Sequence, residues 1–256
     1  MMNGDLNTIF TKLLSENDAL SDLVTDDLIQ FGTYVGGQLD ILRECYIAFC
    51  QNKESYVYQA FLGAPIEINF NYKKDNVIIT RDKQYKITLS LENFLIFMGL
   101  IDLVYSKILP LGSVVELDTR LFPDQLREIF SHTPGAKVII TGRKLPVADS
   151  IGNYVVDYQA QLWPLGGFPP VTPMTITNMM IGKVVARGYE DDYEKSFSQK
   201  LKQTQLQEKR FSTSFMTKTK LMLSSKKLRE VTRWDFTLTL KNSTKLLTNL
   251  IKKPAE

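Results

Sequence analysis

At 256 residues, with 44% hydrophobic and 23% charged residues, the chain has the composition of a folded protein large enough to bury one sizeable core or two small ones. Its net charge of +3 hides a split: residues 1–194 carry 16 Lys and Arg against 24 Asp and Glu (net −8), and residues 195–256 carry 15 against 4 (net +11). So basic a C-terminal stretch points to an acidic counterpart, whether nucleic acid, an anionic membrane surface, the acidic body of the chain itself or an acidic partner. Met1-Met2-Asn3-Gly4-Asp5 carries no basic n-region, and no secretory signal is expected. The most apolar run, 91–109, is interrupted by Glu92, Asn93 and Asp102, so a buried helix is expected in place of a membrane span. A cytoplasmic setting is expected. Cys45 and Cys50, five residues apart on a predicted helix, point in different directions and are expected to stay reduced. With a single His in the chain they form no metal set.

In chain order, Leu6, Ile9, Phe10, Leu13 and Leu14 recur at helical spacing over 5–17, behind Asp5 as N-cap. A longer helical run comes next, over 25–51, with Gly36-Gly37 marking a kink or a close helix crossing. The period then changes. Ile66, Ile68, Phe70 and Tyr72 alternate with polar residues, and 77–80 and 85–89 complete a three-strand meander. Ser90 caps a helix over 90–108, which Leu109-Pro110 ends.

Residues 109–190 hold short β-branched runs separated by Gly and Pro, the pattern of a small antiparallel sheet or barrel. Strand 114–117 is followed by an insertion around 123–131, where Pro123 suits a first helical position. His132, before Thr133-Pro134-Gly135, has no oriented partner in the sequence and reads as a loop residue. Gly166-Gly167 belongs to no phosphate-binding pattern and reads as a tight turn. Asp157 and the run Glu190, Asp191, Asp192 and Glu194 have no metal-loop spacing. No catalytic, cofactor-binding or metal-binding set is read, and no enzyme is expected.

From 191 the chain is expected to be a basic extension, helical near 190–209 and mixed beyond. Phe211, Thr213 and Phe215, and later Trp234, Phe236, Leu238 and Leu240, alternate at period 2. Lys218, Lys220, Lys226, Lys227, Arg229 and Arg233 interleave with apolar residues, as binding to nucleic acid or an anionic membrane would require. A segment that folds onto an acidic protein partner has the same composition. The expected organisation is α+β: a helical section with a β meander over 1–108, a β module over 109–190 and the extension 191–256.

Four elements carry a resemblance. Leu109-Pro110-Leu111-Gly112-Ser113-Val114-Val115, then Ile140-Thr141-Gly142-Arg143, then Tyr154–Tyr158 with Trp163-Pro164, then Val184–Glu190 stand in an order similar to a small domain-of-unknown-function family of Gram-positive bacteria. That family is typically encoded beside type VII (ESX-like) secretion genes and LXG-type polymorphic toxins. The chain departs from its pattern in the long insertion 118–135, in Trp163-Pro164-Leu165-Gly166 and in the loop Phe168–Pro173. The resemblance implies a non-enzymatic targeting chaperone or adaptor that binds an LXG-type toxin or a secretion component. On that basis Tyr158, Trp163 and Phe168 are candidate partner anchors and Arg143 a structural or interfacial ion-pair residue. Phe211, Phe215 and Trp234 form a second candidate surface. The alternatives are nucleic-acid or anionic-membrane binding through the basic tail, and a toxin-neutralising immunity protein.

Overall fold

A computed structural model describes residues 3–61, 64–81, 85–130, 135–147, 152–167 and 173–216. The chain is α+β and forms two units: residues up to Lys107 together with Ser214–Met216, and residues Ile108–Thr213.

The first unit contains helices α1 (Asn3–Ser15), α2 (Asp26–Gly36), α3 (Leu39–Cys50) and α4 (Leu91–Tyr105). They accompany a four-stranded antiparallel sheet in the order β1 (Ser55–Tyr58), β2 (Ile66–Asn71), β3 (Asn76–Arg81) and β4 (Tyr85–Leu89). The strict alternation of β2, with Ile66, Ile68 and Phe70 buried and Glu67, Asn69 and Asn71 exposed, is that of a sheet with one solvated face. Helix α4 is different. It is apolar around most of its circumference and buries Phe94, Phe97, Met98, Leu100, Ile101, Leu103 and Val104, which makes it the central helix of this unit. Phe97 stacks on Phe31 at 6.0 Å and meets Phe10 edge-on at 6.2 Å, tying α4 to α2 and α1.

Three expectations change here. Asp5 lies inside α1, which begins at Asn3, so it is not the N-cap. The run 25–51 is two helices: Gly37 and Gln38 separate α2 from α3. Gly36 allows the close crossing, because a Cβ there would lie 2.6 Å from Cγ of Tyr105 on α4. Helix α4 stops at Tyr105, three residues before the expected end, with Ser106 already extended. The caps Thr25 and Ser90 accept hydrogen bonds from the backbone N–H of Leu28 (3.2 Å) and Asn93 (3.0 Å).

The second unit is built on a six-stranded sheet: β5 (Val114–Leu117), β6 (Lys137–Pro146), β7 (Tyr154–Leu162), β8 (Met174–Ile176), β9 (Ile181–Ala186) and β10 (Phe211–Ser212). The order is β10-β7-β6-β5-β9, with β8 also paired to β7. Among the described residues the sheet is open, with β9 and β10 at its ends and no pairing that closes it into a barrel, and β10 pairs with β7 in parallel, so it is not wholly antiparallel. The insertion forms a 3-10 turn (Thr119–Leu121) and helix α5 (Asp124–Phe130). Phe122 and Phe130 from it meet edge-to-face at 5.7 Å and join the core formed by Leu117, Val138, Leu162 and Met174. The long helix α6 (Asp192–Gln207) is part of this unit, and Leu201 from it packs on the same core.

Candidate interaction surface

The L-P-x-G-S turn and the end of β9 hold one another. Gly112 turns at φ +77°, a left-handed conformation that suits glycine, and its N–H donates to the Ile140 carbonyl at 2.8 Å. Ser113 is fully buried; its hydroxyl donates to the Pro110 carbonyl (2.8 Å) and accepts from the Gly188 N–H (3.0 Å). Thus three of the sequence elements behind the resemblance, around Ser113, Ile140 and Gly188, meet at one corner of the sheet.

From that corner runs the free edge. Among the described residues β9 pairs only with β5, and Gly182–Ala186 are exposed. Directly paired residues share a face of a sheet, so Lys183, Glu116 and Lys137 stand in a row across β9, β5 and β6. The Trp163 N–H donates to the Lys137 carbonyl (3.0 Å), and the Lys137 ammonium stands 5.7 Å from the Trp163 ring centroid. The peptide bond between Trp163 and Pro164 is cis.

Beyond β9, Arg187 forms a two-pronged pair with Glu190 (Nε to Oε2 3.1 Å, Nη2 to Oε1 3.0 Å), which shapes the loop presenting Tyr189. Asp191 caps α6 by accepting from the Glu194 N–H at 2.8 Å. Arg143 then fastens this helix. Its guanidinium donates to both carboxylate oxygens of Glu194 and to Ser198 Oγ (3.0 Å), and it lies 5.6 Å from the Phe197 ring centroid. The bond from Arg143 holds the Glu194 carboxyl below its ordinary range, against a smaller opposing effect of burial. Fixed in this way, the segment shows solvent an apolar series: Leu111, Val184, Val185, Tyr189, Tyr193 and Phe197. Tyr189 and Tyr193 are 82% and 81% exposed.

The residues singled out from the sequence fall into different places. Tyr158 is 0% exposed and accepts a hydrogen bond from the Leu109 N–H (3.1 Å), so it is a core residue and no partner anchor. Phe215 is 1% exposed and packs edge-on to Tyr46 at 5.3 Å within the first unit, which removes it from any surface. Phe211 is half-buried beside Tyr154, with ring centroids 6.4 Å apart. Trp163 is 39% exposed and accessible. Arg143 has a structural ion pair with Glu194. Phe168, Trp234 and His132 lie outside the described residues. The exposed series was not anticipated. Tyr193 and Phe197, four apart on a mostly polar helix whose other apolar residues are Leu201 and Leu206, carried its clearest sequence signal.

A second constellation is structural. Asp157, fully buried, pairs with Lys144 Nζ (2.7 Å) and accepts from the Asn178 N–H (3.0 Å) and Ser212 Oγ (2.6 Å). Every one of those donors comes from a different stretch of chain, so this carboxylate joins β6, β7, the 178–180 turn and β10. Among the described residues there is no group of three His, Cys, Asp or Glu placed to hold a metal ion. No helix of the described residues is long and apolar enough to cross a membrane.

The sequence profile of a domain of unknown function, DUF4176, matches residues 108–197, from the start of the second unit into α6. No curated protein matches the chain, and no solved structure does.

Proposed function

We propose that the protein is a non-enzymatic cytoplasmic adaptor or targeting chaperone, which holds an LXG-type toxin or a type VII secretion component through its second unit. The observation that carries this reading is the free β9 edge, continued by the exposed series Val184, Val185, Tyr189, Tyr193 and Phe197, within the segment that matches the domain of unknown function. An unpaired strand edge offers backbone hydrogen bonds to an extended partner segment, and exposed aromatic residues beside it supply anchors. The resemblance of the Leu109–Ser113, Ile140–Arg143 and Val184–Glu190 elements to a secretion-associated family supports the choice of partner.

The test is recovery of the tagged full-length protein from its native cell, washed at moderate salt with nuclease present. Stoichiometric recovery of an LXG toxin or a secretion component is expected, with contact through the toxin's N-terminal export half. Contact through the C-terminal effector half makes the protein an immunity factor. Recovery of nucleic acid alone, removed by salt or nuclease, overturns the adaptor reading and moves the function to the basic tail.

A further inference from the structure

The β9 edge is interrupted at two places. Against β5, Ile181 pairs with Leu117 and Lys183 with Glu116, then Val184 with Val115 and Ala186 with Val114. Gly182 and Val185 are therefore extra residues, and the strand bulges at both. Within 181–186 only Lys183 and Val184 are consecutive residues in regular pairing. Bulges break the even spacing of backbone donors and acceptors that a long strand of arbitrary sequence needs, and they guard an edge against indiscriminate pairing. A segment added here gains its affinity over a short stretch, so side chains decide which segment fits.

Those side chains carry one sign of charge. Lys183 is the single charged residue of Gly182–Ala186; it is exposed, and among the described residues no carboxylate lies within ion-pair distance of it. It ends the row Lys137, Glu116, Lys183 at the open edge, with one carboxylate between two ammoniums. Continued onto an added strand, this alternation of sign calls for a carboxylate facing Lys183. The carboxylates at the two ends of β9 are engaged by arginine. Asp118, whose N–H donates to the Met180 carbonyl (2.8 Å), accepts from Arg120 Nε (2.9 Å) and Nη2 (2.6 Å), and Glu190 holds Arg187. Beside Lys183, Val184 and Val185 are 39% and 45% exposed. Successive side chains of a strand alternate between faces, so apolar neighbours of the incoming carboxylate are what cover these two valines.

Charge also decides between occupants. A second copy of β9 brings another Lys183 and no carboxylate within 181–186. Residues 217–256 of the chain itself carry 10 Lys and Arg against 3 Asp and Glu, the same sign as the edge. An acidic segment of another protein is the complement. We infer that β9 takes an extended segment of a separate protein, with Asp or Glu in register with Lys183 and apolar residues on either side of it. Lys183 is the residue that selects such a segment over basic or uncharged strands. The inference rests on the adaptor reading above and adds to it the chemistry of the segment that is held.

Selection of displayed random peptides on the full-length protein, followed by anisotropy titration of the recovered peptides, tests it. The recovered peptides are expected to share an Asp or Glu between apolar residues. Replacing that acid by Lys should weaken binding about tenfold, and Lys183→Glu should reverse the order, so that the Lys-substituted peptide binds the tighter. Lys183→Gln should erase the difference, while Lys86→Glu, at an exposed position of β4 in the first unit, leaves the order unchanged. Urea midpoints at the wild-type value show that the variants are folded, and amide exchange over 182–186 should slow at saturating peptide. Recovery of no peptide, of peptides without the acid, an order that Lys183→Glu leaves unaltered, or protection confined to other strands overturns the inference. Recovery from the native cell separates it from the adaptor reading. An LXG toxin or secretion component recovered equally by wild type and Lys183→Glu overturns the inference and leaves the adaptor standing. Wild type recovering neither, with the charge reversal still seen in the peptides, overturns the adaptor reading alone.

Discussion

Gly188 lies against Leu111 so closely that a Cβ on it would stand 2.9 Å from the Leu111 carbonyl carbon and 3.0 Å from the Ser113 nitrogen. Both neighbours are backbone, so no rotamer change relieves the clash. Gly188→Ala is therefore expected to destabilise the second unit by about 1–3 kcal/mol, the ordinary range for overpacking a tight contact. Ser113→Ala should cost a comparable amount, since it strands the Gly188 N–H, while the Pro110 carbonyl keeps the Ser113 N–H at 3.3 Å. Urea denaturation of both variants, with unchanged m-values, checks this. Wild-type midpoints would show that the corner between the L-P-x-G-S turn and β9 holds nothing.

The Asp157–Lys144 pair gives a sharper contrast. Asp157→Ala leaves a buried ammonium without its counter-charge, and such losses run to about 3–5 kcal/mol. Pairing Asp157→Leu with Lys144→Met removes both charges and should recover part of that loss, the Asn178 N–H and the Ser212 hydroxyl still lacking their acceptor. Because Ser212 also donates to Asp157, backbone hydrogen exchange in β10 should rise in the single variant before the rest of the sheet changes. A double variant no better than the single one would contradict this account.

In the first unit, Gly36→Ala should drive a methyl group into the Tyr105 ring. A loss of about 1–3 kcal/mol is expected. Adding Tyr105→Val, which removes the ring, should reverse the sign of the Gly36→Ala effect, measured as a double-mutant cycle in thermal or urea melts. Two additive losses would mean that α2 and α4 do not meet at these residues.

The attachment of α6 should be sensitive to acid. The Glu194 carboxyl has a folded pKa below its unfolded one, so its stabilisation is complete above the unfolded carboxylate range, about 4.3. It is lost as pH falls through the lower folded value. Amide exchange across 192–207 should accordingly increase on acidification, and Glu194→Gln should show the same loosening at neutral pH with the acid dependence gone. An unchanged pH profile in Glu194→Gln would assign the acid response elsewhere.

Thiol chemistry offers a check on α3. Cys45 is buried, and burial pushes its thiol well above the usual range; burial raises the Cys50 thiol as well, but Cys50 is exposed at the helix end. Iodoacetamide should modify Cys50 in the native protein and reach Cys45 only on unfolding. Early modification of Cys45 would show that the packing beneath α3 opens readily.

Much of the fold was legible because particular residues repeat a period. Alternation from Ile66 to Phe70 and at 85–89 gave the meander, and Ser90 gave the start of α4. Strand β1 escaped because Ser55-Tyr56-Val57-Tyr58 is four residues long and exists only by pairing with β2. Strand β7 hid its directions for the opposite reason. It is buried on both faces from Tyr154 to Tyr158, so no alternation in the sequence distinguishes a buried Tyr158 from a surface one. Arg143 could be read as an ion-pair residue, yet its partner stands 51 residues later on a helix whose placement no local pattern states. Phe215 has the same difficulty across 168 or so residues of intervening sequence, as the Tyr46–Ser214 separation shows.

That separation bears on how the protein is made. The first unit is completed by Ser214–Met216, which leave the ribosome after the whole of Ile108–Thr213. At about 5–20 residues per second, Tyr46 waits on the order of ten to thirty seconds for Phe215. At the end of that interval the nascent chain still carries an unfilled aromatic socket, while every strand of the second unit, through β10 at Phe211–Ser212, has already been made. The first part of the protein to be translated is thus the last to be finished, and termination between Ser212 and Phe215 yields every strand of the second unit without a completed first.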